Sequence, residues 1–371
     1  MSVSLSLPRA PAADVPVLAV AAGGLTGVAL KLANEGAWSS VGLLIVAAAL
    51  GWVFLARSFG YTGAFRAWLT RRDGAGLAAG LLVALVAALI IIPVSALVGG
   101  YSGYQAPLGL PLVFGAMLFG VGMQLGNGCG SGTLYAAGGG SRRTCVVLPF
   151  FCVGGLLGTL ALPAAVSLPA LPQVSFGDLF GPWIGLAVTL ALGLALTLLI
   201  VGRGPRPDGD LLRAAALIGA LAAAVFLLSG QPWGITTGLT LWGAKAAAAA
   251  GLDVAHATYW TWDGPRQMLT GSILHQDSSL TDIGMILGAT AASAWRGGFR
   301  RQNWPETRGL VAAAIGGLLM GFGARLSFGC NIGALVGGIA SGSLHGFIWF
   351  FAVLPGCWLG IRLRPKFGLA A

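Results

Sequence analysis

Long apolar runs separated by short polar segments dominate the pattern of the chain. Each run is long enough to cross a bilayer as a helix, which takes roughly 17–25 residues. Backbone groups in lipid must be hydrogen-bonded within their own segment, so these runs are expected to be helical. A transmembrane barrel would need alternating segments of about ten residues, and none is visible. The predicted spans are 16–33, 38–56, 75–98, 108–125, 143–165, 181–201, 211–229, 279–295, 308–326 and 344–362.

The composition agrees with a membrane protein. Of the 371 residues, 56% are hydrophobic and only 9% are charged, which is far outside the range of water-soluble domains. Close helix packing through small residues accounts for most of the 61 glycines. We therefore expect an all-α, polytopic helical membrane protein of nine or ten spans, forming a single membrane domain over 1–371 with lipid around it.

The net charge of +10 would suggest nucleic-acid binding in a soluble chain, but here the basic residues cluster in short loops between spans. Such clusters mark the cytoplasmic side, so no nucleic-acid partner is expected and both termini are predicted to be cytoplasmic. Residues 1–14 lack the features of a cleaved signal peptide. The basic clusters are Arg57, Arg66, Arg71 and Arg72; Arg142 and Arg143; Arg203, Arg206 and Arg213; Arg296, Arg300, Arg301 and Arg308; and Arg362, Arg364 and Lys366.

The chain contains an internal copy. Residues 117–135 read MLFGVGMQLGNGCGSGTLY and residues 318–336 read LLMGFGARLSFGCNIGALV. The loop charges direct the first copy inward and the second outward, which predicts an inverted-topology internal repeat with halves at 38–165 and 211–362. In such proteins discontinuous helices of the two halves meet near the bilayer midplane. Paired positions at the constant offset of 201 are Gly120/Gly321, Gly122/Gly323, Leu125/Leu326, Gly128/Gly329, Cys129/Cys330, Gly132/Gly333 and Leu134/Leu335.

A fainter correspondence precedes each copy. SFGYTGAF at 58–65, which contains Tyr61 and Thr62, is similar to PWGITTGL at 232–239. We call these two stretches the entrance segments. They are predicted to form short re-entrant or surface helices that close the two ends of one pathway. A chance match of glycines and aromatic residues in so biased a composition is the alternative.

The paired GxGxxLxxGCxxGxL units, preceded by FGYTGAFR, resemble the YeeE/YedE family of bacterial sulfur-compound transporters. This resemblance implies thiosulfate uptake across the bacterial inner membrane by an inverted-repeat helical fold constricted at its centre, with selenium metabolism linked to related members. It implies that Cys129 and Cys330 carry transport, and it makes a cytosolic sulfur-carrier protein a candidate partner. Family members often have a third cysteine near the position of Tyr61, and this chain has no cysteine before Cys129.

Glycines around each cysteine do not favour an unbroken helix, so each copy is predicted to be a span, a break at the cysteine and a short helix. Helix N-termini offer N–H groups to an anion. Thiols suit a soft terminal sulfur, and weak contacts suit a site that must also release its substrate. The predicted pathway residues are Cys129, Gly128, Ser131, Gly132 and Thr133, then Cys330, Gly329, Asn331 and Gly333.

Two further features have competing interpretations. Arg325 aligns with Gln124 just before the breaks, and an ionisable residue within a membrane is a functional candidate. Arg325 could attract the anion at one mouth, cap a helix end or reach an interface. The stretch 252–277 could be an interfacial aromatic belt or an entrance vestibule in which Arg266 gathers anions.

The five cysteines form no CxxC pair, and the three histidines show no zinc-type spacing. We therefore expect no metal, no cofactor and no enzymatic activity. The favoured function is transport of thiosulfate or a related small anion, including another sulfur or selenium species. A membrane-embedded thiol enzyme that transfers sulfur and a structural membrane subunit are the alternatives. Cys145, Cys152 and Cys357 are expected to be buried apolar residues.

Overall fold

The computed structural model describes residues 13–202, 204–299 and 304–370. Arg203, Arg300 and Arg301 of the basic loops, and most of the stretch 1–14, lie outside these residues. The helices are α1 Val15–Asn34, α2 Trp38–Arg57, α3 Tyr61–Arg71, α4 Ala75–Leu97, α5 Leu110–Gly126, α6 Gly130–Gly138, α7 Arg142–Val166, α8 Phe176–Phe180, α9 Pro182–Val201, α10 Gly209–Ser229, α11 Thr236–Ala249, α12 Thr258–Thr261, α13 Asp263–Thr270, α14 Asp277–Trp295, α15 Thr307–Leu326, α16 Gly338–Ala340 and α17 Leu344–Leu363.

Irregular elements are few in the part of the chain described. A π-helix, Asn331–Gly337, runs directly into α16, and short 3₁₀ helices occupy Ile273–His275 and Arg364–Phe367. The two-residue strands β1, Leu108–Gly109, and β2, Ala170–Leu171, pair antiparallel. The prediction of an all-α fold is therefore confirmed.

Nine helical segments of the described residues are long and apolar enough to cross a membrane. Nine of the ten predicted runs correspond to these segments, and the tenth, 279–295, corresponds to α14, which is not among them. Polar residues such as Ser278, Thr281 and Asp282 lower the hydropathy of α14. These side chains are buried in a helix that packs against α1, α2, α6 and α11. The chain is a multi-pass membrane protein, as the sequence predicts.

Both long helices that lead to a cysteine break at the same relative position. Asn127, immediately after α5, has φ +59°, and Phe328, just beyond α15, has φ +58°. These residues are 201 positions apart, so the left-handed turn is repeated with the motif. The predicted sequence of span, break and short helix is present in both copies, although the second short helix begins as a π-helix.

The two broken helices, α5 and α15, cross each other antiparallel at their glycines. A Cβ at Gly115 would lie 2.7 Å from the Gly323 carbonyl oxygen, and a Cβ at Gly122 would lie 2.7 Å from the Gly316 carbonyl oxygen. Gly316 and Gly323 are the repeat equivalents of Gly115 and Gly122, so the two contacts exchange under the repeat. Backbones can approach this closely only where the side chain is absent.

The other large helix contacts also occur in reciprocal pairs. Helix α2 packs on α14 as α10 packs on α4, and α7 packs on α15 as α17 packs on α5. The division into halves at 38–165 and 211–362 stays a prediction, and this exchange of partners supports it. The two cysteine breaks therefore reach the middle of the bundle from opposite directions.

Candidate functional site

The two motif cysteines meet in the interior of the bundle. Cys129 and Cys330 are 1% and 0% exposed. A Cβ at Gly130, the residue that follows Cys129, would lie 2.9 Å from the Cys330 Sγ. The contact between α6 and the π-helix thus joins two motifs that are 201 residues apart in the sequence.

Cys129 is the N-cap of α6. Its Sγ accepts a hydrogen bond from the Gly132 backbone N–H at 3.4 Å, and it lies 3.4 Å from the Ser131 Oγ. The thiol itself therefore uses one of the N–H groups that we expected to be available to an anion. Ser131 and Thr133 are fully buried beside it, and the Thr133 Oγ1 has no partner.

The second break is held by Gly329. Its φ is +152°, and a Cβ there would lie 2.6 Å from the Ala334 backbone nitrogen, so only glycine fits. The Cys330 carbonyl accepts from the Ala334 N–H at 2.8 Å and from the Leu335 N–H at 3.4 Å, which starts the π-helix. Neither the Oδ1 nor the Nδ2 atom of the buried Asn331 has a partner.

Unpaired buried polar atoms are rare in folded proteins, yet several lie close to this site. The Thr133 hydroxyl, the Asn331 amide and the Trp233 indole nitrogen are all in this class. Each of these three side chains can donate a hydrogen bond. The arrangement can therefore bind a small acceptor-rich anion without a metal or an arginine clamp.

Two cavities approach the cysteines through the two entrance segments. The larger, about 610 Å³, is lined by Trp233, Gly234, Thr236 and Thr237 of the second entrance segment, with Gly329 and Gly333 beside Cys330. The smaller, about 310 Å³, is lined by Phe59, Gly60, Tyr61 and Gly63 of the first. The short helices α3 and α11 begin in these segments, so the fainter sequence correspondence coincides with the start of a short helix in each half.

A cluster of aromatic rings lies between the linings of the two cavities. Phe54 of α2 is fully buried, and its ring lies 5.6 Å from that of Phe59, 5.9 Å from that of Trp233 and 5.7 Å from that of Tyr135. Phe54 therefore joins the lining of the smaller cavity to the lining of the larger one. In this conformation the cysteines are closed off from both sides.

Three other predicted pathway residues lie in α3 or against it. Tyr61 lines the smaller cavity and donates through its hydroxyl to the Gly80 carbonyl at 3.1 Å. Thr62 is buried next to it, and its carbonyl accepts from the Gln124 Nε2 at 3.2 Å. Neither Thr62 nor Gln124 lines either cavity. They support α3 rather than contact the cavities.

Arg325 contacts Tyr259 of α12 and lines neither cavity. It donates to the Tyr259 hydroxyl, and its guanidinium lies 5.0 Å from the centre of the Tyr259 ring. Its Nε has no hydrogen-bond partner. Gln124 thus hydrogen-bonds to α3, whereas the aligned Arg325 hydrogen-bonds to α12.

The stretch 252–277 forms a wall of the larger cavity. Gly264, Gln267 and Met268 of α13 line that cavity. The interpretation as an aromatic belt is wrong for Tyr259 and Trp260, which are 6% and 2% exposed in a small hydrophobic cluster. The Trp260 indole donates to the hydroxyl of the buried Thr159 on α7, so these rings anchor the wall to the bundle.

The far end of this wall is tied to α1. His275 lines the larger cavity and lies 2.9 Å from a Glu35 carboxylate oxygen, while Lys31 pairs with the other oxygen at 2.8 Å. Two hydrogen bonds lower the pKa of Glu35, and the one from Lys31 has a larger effect than the one from His275. The pair with Glu35 is consistent with a structural role for Lys31.

Some residues that matter here were missed in the sequence. Arg143 and Arg364 were treated as orientation signals, but they donate to the Leu125 and Gln124 carbonyls at the C-terminal end of α5. Cations are stabilising at this end of a helix. Asp282 lies within the predicted span 279–295, and an ionisable residue within a membrane is a functional candidate, as for Arg325. The expectation for Cys145 was wrong, since it is exposed on α7.

Comparison with known proteins agrees with the sequence resemblance. The chain is 35% identical over 153 residues to "Probable transporter YedE" of Escherichia coli, and 34% identical over 153 residues to the protein of that name in Salmonella typhimurium. Each match covers 40% of this chain and only 37% of the relative. The chain is 26% identical over 268 residues to "Thiosulfate transporter TsuA" of Spirochaeta thermophila, which covers 66% of this chain and 75% of that protein.

The family model described as "Sulphur transport" matches residues 57–359. That range contains both cysteine breaks, both entrance segments and, among the aromatic residues between the cavities, Phe59, Tyr135 and Trp233, whereas Phe54 lies just before it. Because the match extends over most of the sequence, the chain belongs to the sulphur transport family.

Proposed function

We propose that this chain takes up thiosulfate across a bacterial inner membrane, with both termini in the cytoplasm. The pathway runs from the larger cavity, past Cys330 and Cys129, to the smaller cavity. The observation that carries this proposal is the meeting of the two buried cysteines between two cavities that the two entrance segments line. The name of the Spirochaeta relative supports the choice of thiosulfate.

The polar groups at the two breaks suit a small anion. Donors on Thr133, Asn331 and Trp233 have no partner and can bind sulfonate-type oxygens, while the Cys129 and Cys330 thiols contact the soft terminal sulfur. Such S–H contacts are weak, and a transported anion must be released as well as bound. The thiols therefore make transient contacts and are not consumed, so the chain acts as a permease and not as an enzyme.

Access alternates between the two sides. The rings of Phe54, Phe59, Trp233 and Tyr135 lie between the cavities, and one side of this barrier opens at a time. Rocking of one inverted half against the other is a common way to achieve alternation around a fixed site. The antiparallel crossing of α5 and α15 supplies the glycine-lined surface on which such a movement would occur.

Uptake of labelled thiosulfate into cells that lack other sulfur importers tests the proposal. Cys129→Ser and Cys330→Ser should each abolish uptake and thiosulfate-dependent growth while membrane expression is unchanged. Cys145→Ser is the matched control, because this thiol lies on the exposed surface of α7, and it should transport like the wild type. Normal uptake by both pathway variants would refute the proposal.

Two extensions of the same assay define the substrate and the partner. Sulfate, sulfite, selenite and sulfide as competitors distinguish thiosulfate from another sulfur or selenium species. A persulfide trapped on Cys129 or Cys330 during turnover would favour the alternative of a sulfur-transferring thiol enzyme. Co-purification with a cytosolic sulfur-carrier protein would identify the receiver of the substrate.

A further inference from the structure

Asp282 of α14 is a buried carboxyl group that has no hydrogen-bond partner among the residues that the structure describes. Its exposure is 0%, and neither Oδ1 nor Oδ2 accepts a hydrogen bond. The Oδ2 faces α11, where a Cβ at Gly238 would lie 2.5 Å from it. An unpaired carboxylate ion is very unfavourable in such surroundings, whereas the neutral carboxylic acid is tolerated far more easily. The geometry therefore suits a carboxyl group that carries a proton.

No cation among the described residues neutralises Asp282. The Cys152 and Cys330 thiols lie within electrostatic range of the carboxyl. None of the charged or titratable side chains on the elements packed against α14 is hydrogen-bonded to it. These are Asp14, Lys31 and Glu35 at the ends of α1, of which Lys31 and Glu35 pair with each other; Arg57 at the end of α2; Cys129 at the start of α6 and Tyr135 on it; Lys245 on α11, which donates to the Leu269 and Gly271 carbonyls; and His275 on the 3₁₀ helix.

Asp282 lies near the larger cavity. Ser278 and Thr281, on the same stretch of α14, line that cavity. The Ser278 hydroxyl donates to the Gly234 carbonyl at 3.0 Å and accepts from the Gly238 N–H at 3.0 Å. Gly238 thus contacts both Ser278, in the wall of this cavity, and the Asp282 carboxyl, which places Asp282 next to that wall.

Packing alone does not require a carboxyl group here. A Cβ at Gly51 of α2 would meet the Met285 carbonyl of α14, and a Cβ at Gly219 of α10 would meet the Val83 carbonyl of α4. Matching these two contacts under the predicted repeat pairs Met285 with Val83, at an offset of 202. By the same offset of 202, the equivalent of Asp282 is Gly80. In the first half the Tyr61 ring fills this space, and its hydroxyl is satisfied by the Gly80 carbonyl.

We propose that Asp282 binds the proton that is carried inward with each substrate anion, which makes the chain a proton-coupled anion symporter. This inference rests on the proposed function and adds its coupling ion. Asp282 takes a proton from the side of the larger cavity and releases it on the opposite side after the barrier has switched. Only an O–H bond forms and breaks. One proton and one dianion enter per cycle, so one net negative charge moves inward.

Purified full-length protein in liposomes loaded with a pH-sensitive dye tests this inference. Potassium and valinomycin clamp the membrane potential, and labelled thiosulfate is added outside. With the wild type, the lumen should acidify only when thiosulfate is present, and lowering the external pH by one unit should raise the initial uptake rate by at least threefold. Uptake of label without acidification of the lumen would overturn the inference and leave the proposed function intact.

Variants then assign the proton to this residue. Asp282→Asn should retain exchange of labelled for unlabelled thiosulfate but lose both the acidification and the response to external pH, while Asp282→Glu should retain both. Asp253→Asn, which changes an exposed carboxylate paired with His256, is the control and should match the wild type. Acidification by Asp282→Asn equal to that of the wild type would refute the assignment. Absence of exchange by the wild type would instead refute the proposed function.

A chemical measurement on the wild type does not depend on transport or on the stability of a variant. Dicyclohexylcarbodiimide reacts with protonated carboxyl groups in apolar surroundings. Mass spectrometry should find the adduct on Asp282 at pH 7, and labelling should be at least fivefold greater than on the exposed Asp253. An unmodified Asp282 at pH 7 would overturn the inference.

Discussion

A substitution at Gly130, which contacts Cys330, most directly tests whether the two motifs form one site. In Gly130→Ala, the added Cβ would lie 2.9 Å from the Cys330 Sγ, 3.4 Å from the Cys330 Cβ and 3.7 Å from the Ile235 Cγ2. Ordinary contacts between heavy atoms are about 3.5–4.0 Å. The thiol must therefore move by more than half of an ångström, roughly, or its helix must shift.

The cost of this change follows from the packing around it. Inserting one methyl group into a well-packed interior costs about 1–3 kcal/mol. If that strain falls on the transporting conformation, uptake decreases about 5- to 150-fold, since 1.4 kcal/mol corresponds to a factor of ten. The assay is the initial rate of labelled thiosulfate uptake, normalised to the amount of protein in the membrane, together with thermal stability in detergent.

Gly23→Ala is the control for this substitution. Gly23 lies within α1, and a Cβ there would meet no atom within 4 Å. Alanine is about 0.5–1 kcal/mol better than glycine in a helix interior, so uptake should be unchanged and stability equal or higher. An uptake rate of Gly130→Ala within twofold of the wild type would refute the reasoning that the two motifs are in contact during transport.

Three further predictions address the barrier and the breaks. Phe54→Ala removes the ring between the two cavities at a cost of about 3–5 kcal/mol, and it should speed labelling of Cys330 by a membrane-impermeant maleimide; unchanged labelling would argue against a barrier at this ring. Gly329→Ala should greatly reduce the folded fraction on size-exclusion chromatography because of its positive φ and the 2.6 Å contact, whereas Gly333→Ala, which meets no atom within 4 Å, should fold normally. Arg364→Gln removes a cationic donor from the end of α5 and should lower stability by about 1.5–3 kcal/mol in thermal unfolding; an unchanged melting temperature would contradict this capping role.

Hydrophobic patterning was sufficient to predict the helices, because the bilayer requires long apolar segments with internally satisfied backbones. It was less informative for α14, whose predicted span at 279–295 contains Asp282 and several hydroxyl side chains. This helix is buried by its neighbours, and burial within a bundle permits polar residues that lipid would exclude. The repeat pattern also could not predict the roles of side chains at equivalent positions. Gln124 and Arg325 are aligned, but they contact different residues, Thr62 and Tyr259.

Composition and spacing along the chain are enough to predict the class of protein, the repeat and the two cysteines at its centre. Only the folded chain shows that Gly130 meets Cys330, that Phe54 contacts the linings of both cavities and that Asp282 has no partner among the described residues. These features depend on contacts between residues far apart in the sequence. Such contacts are set by how the glycine-lined helices α5 and α15 cross, and no local pattern specifies the neighbours that this crossing brings together.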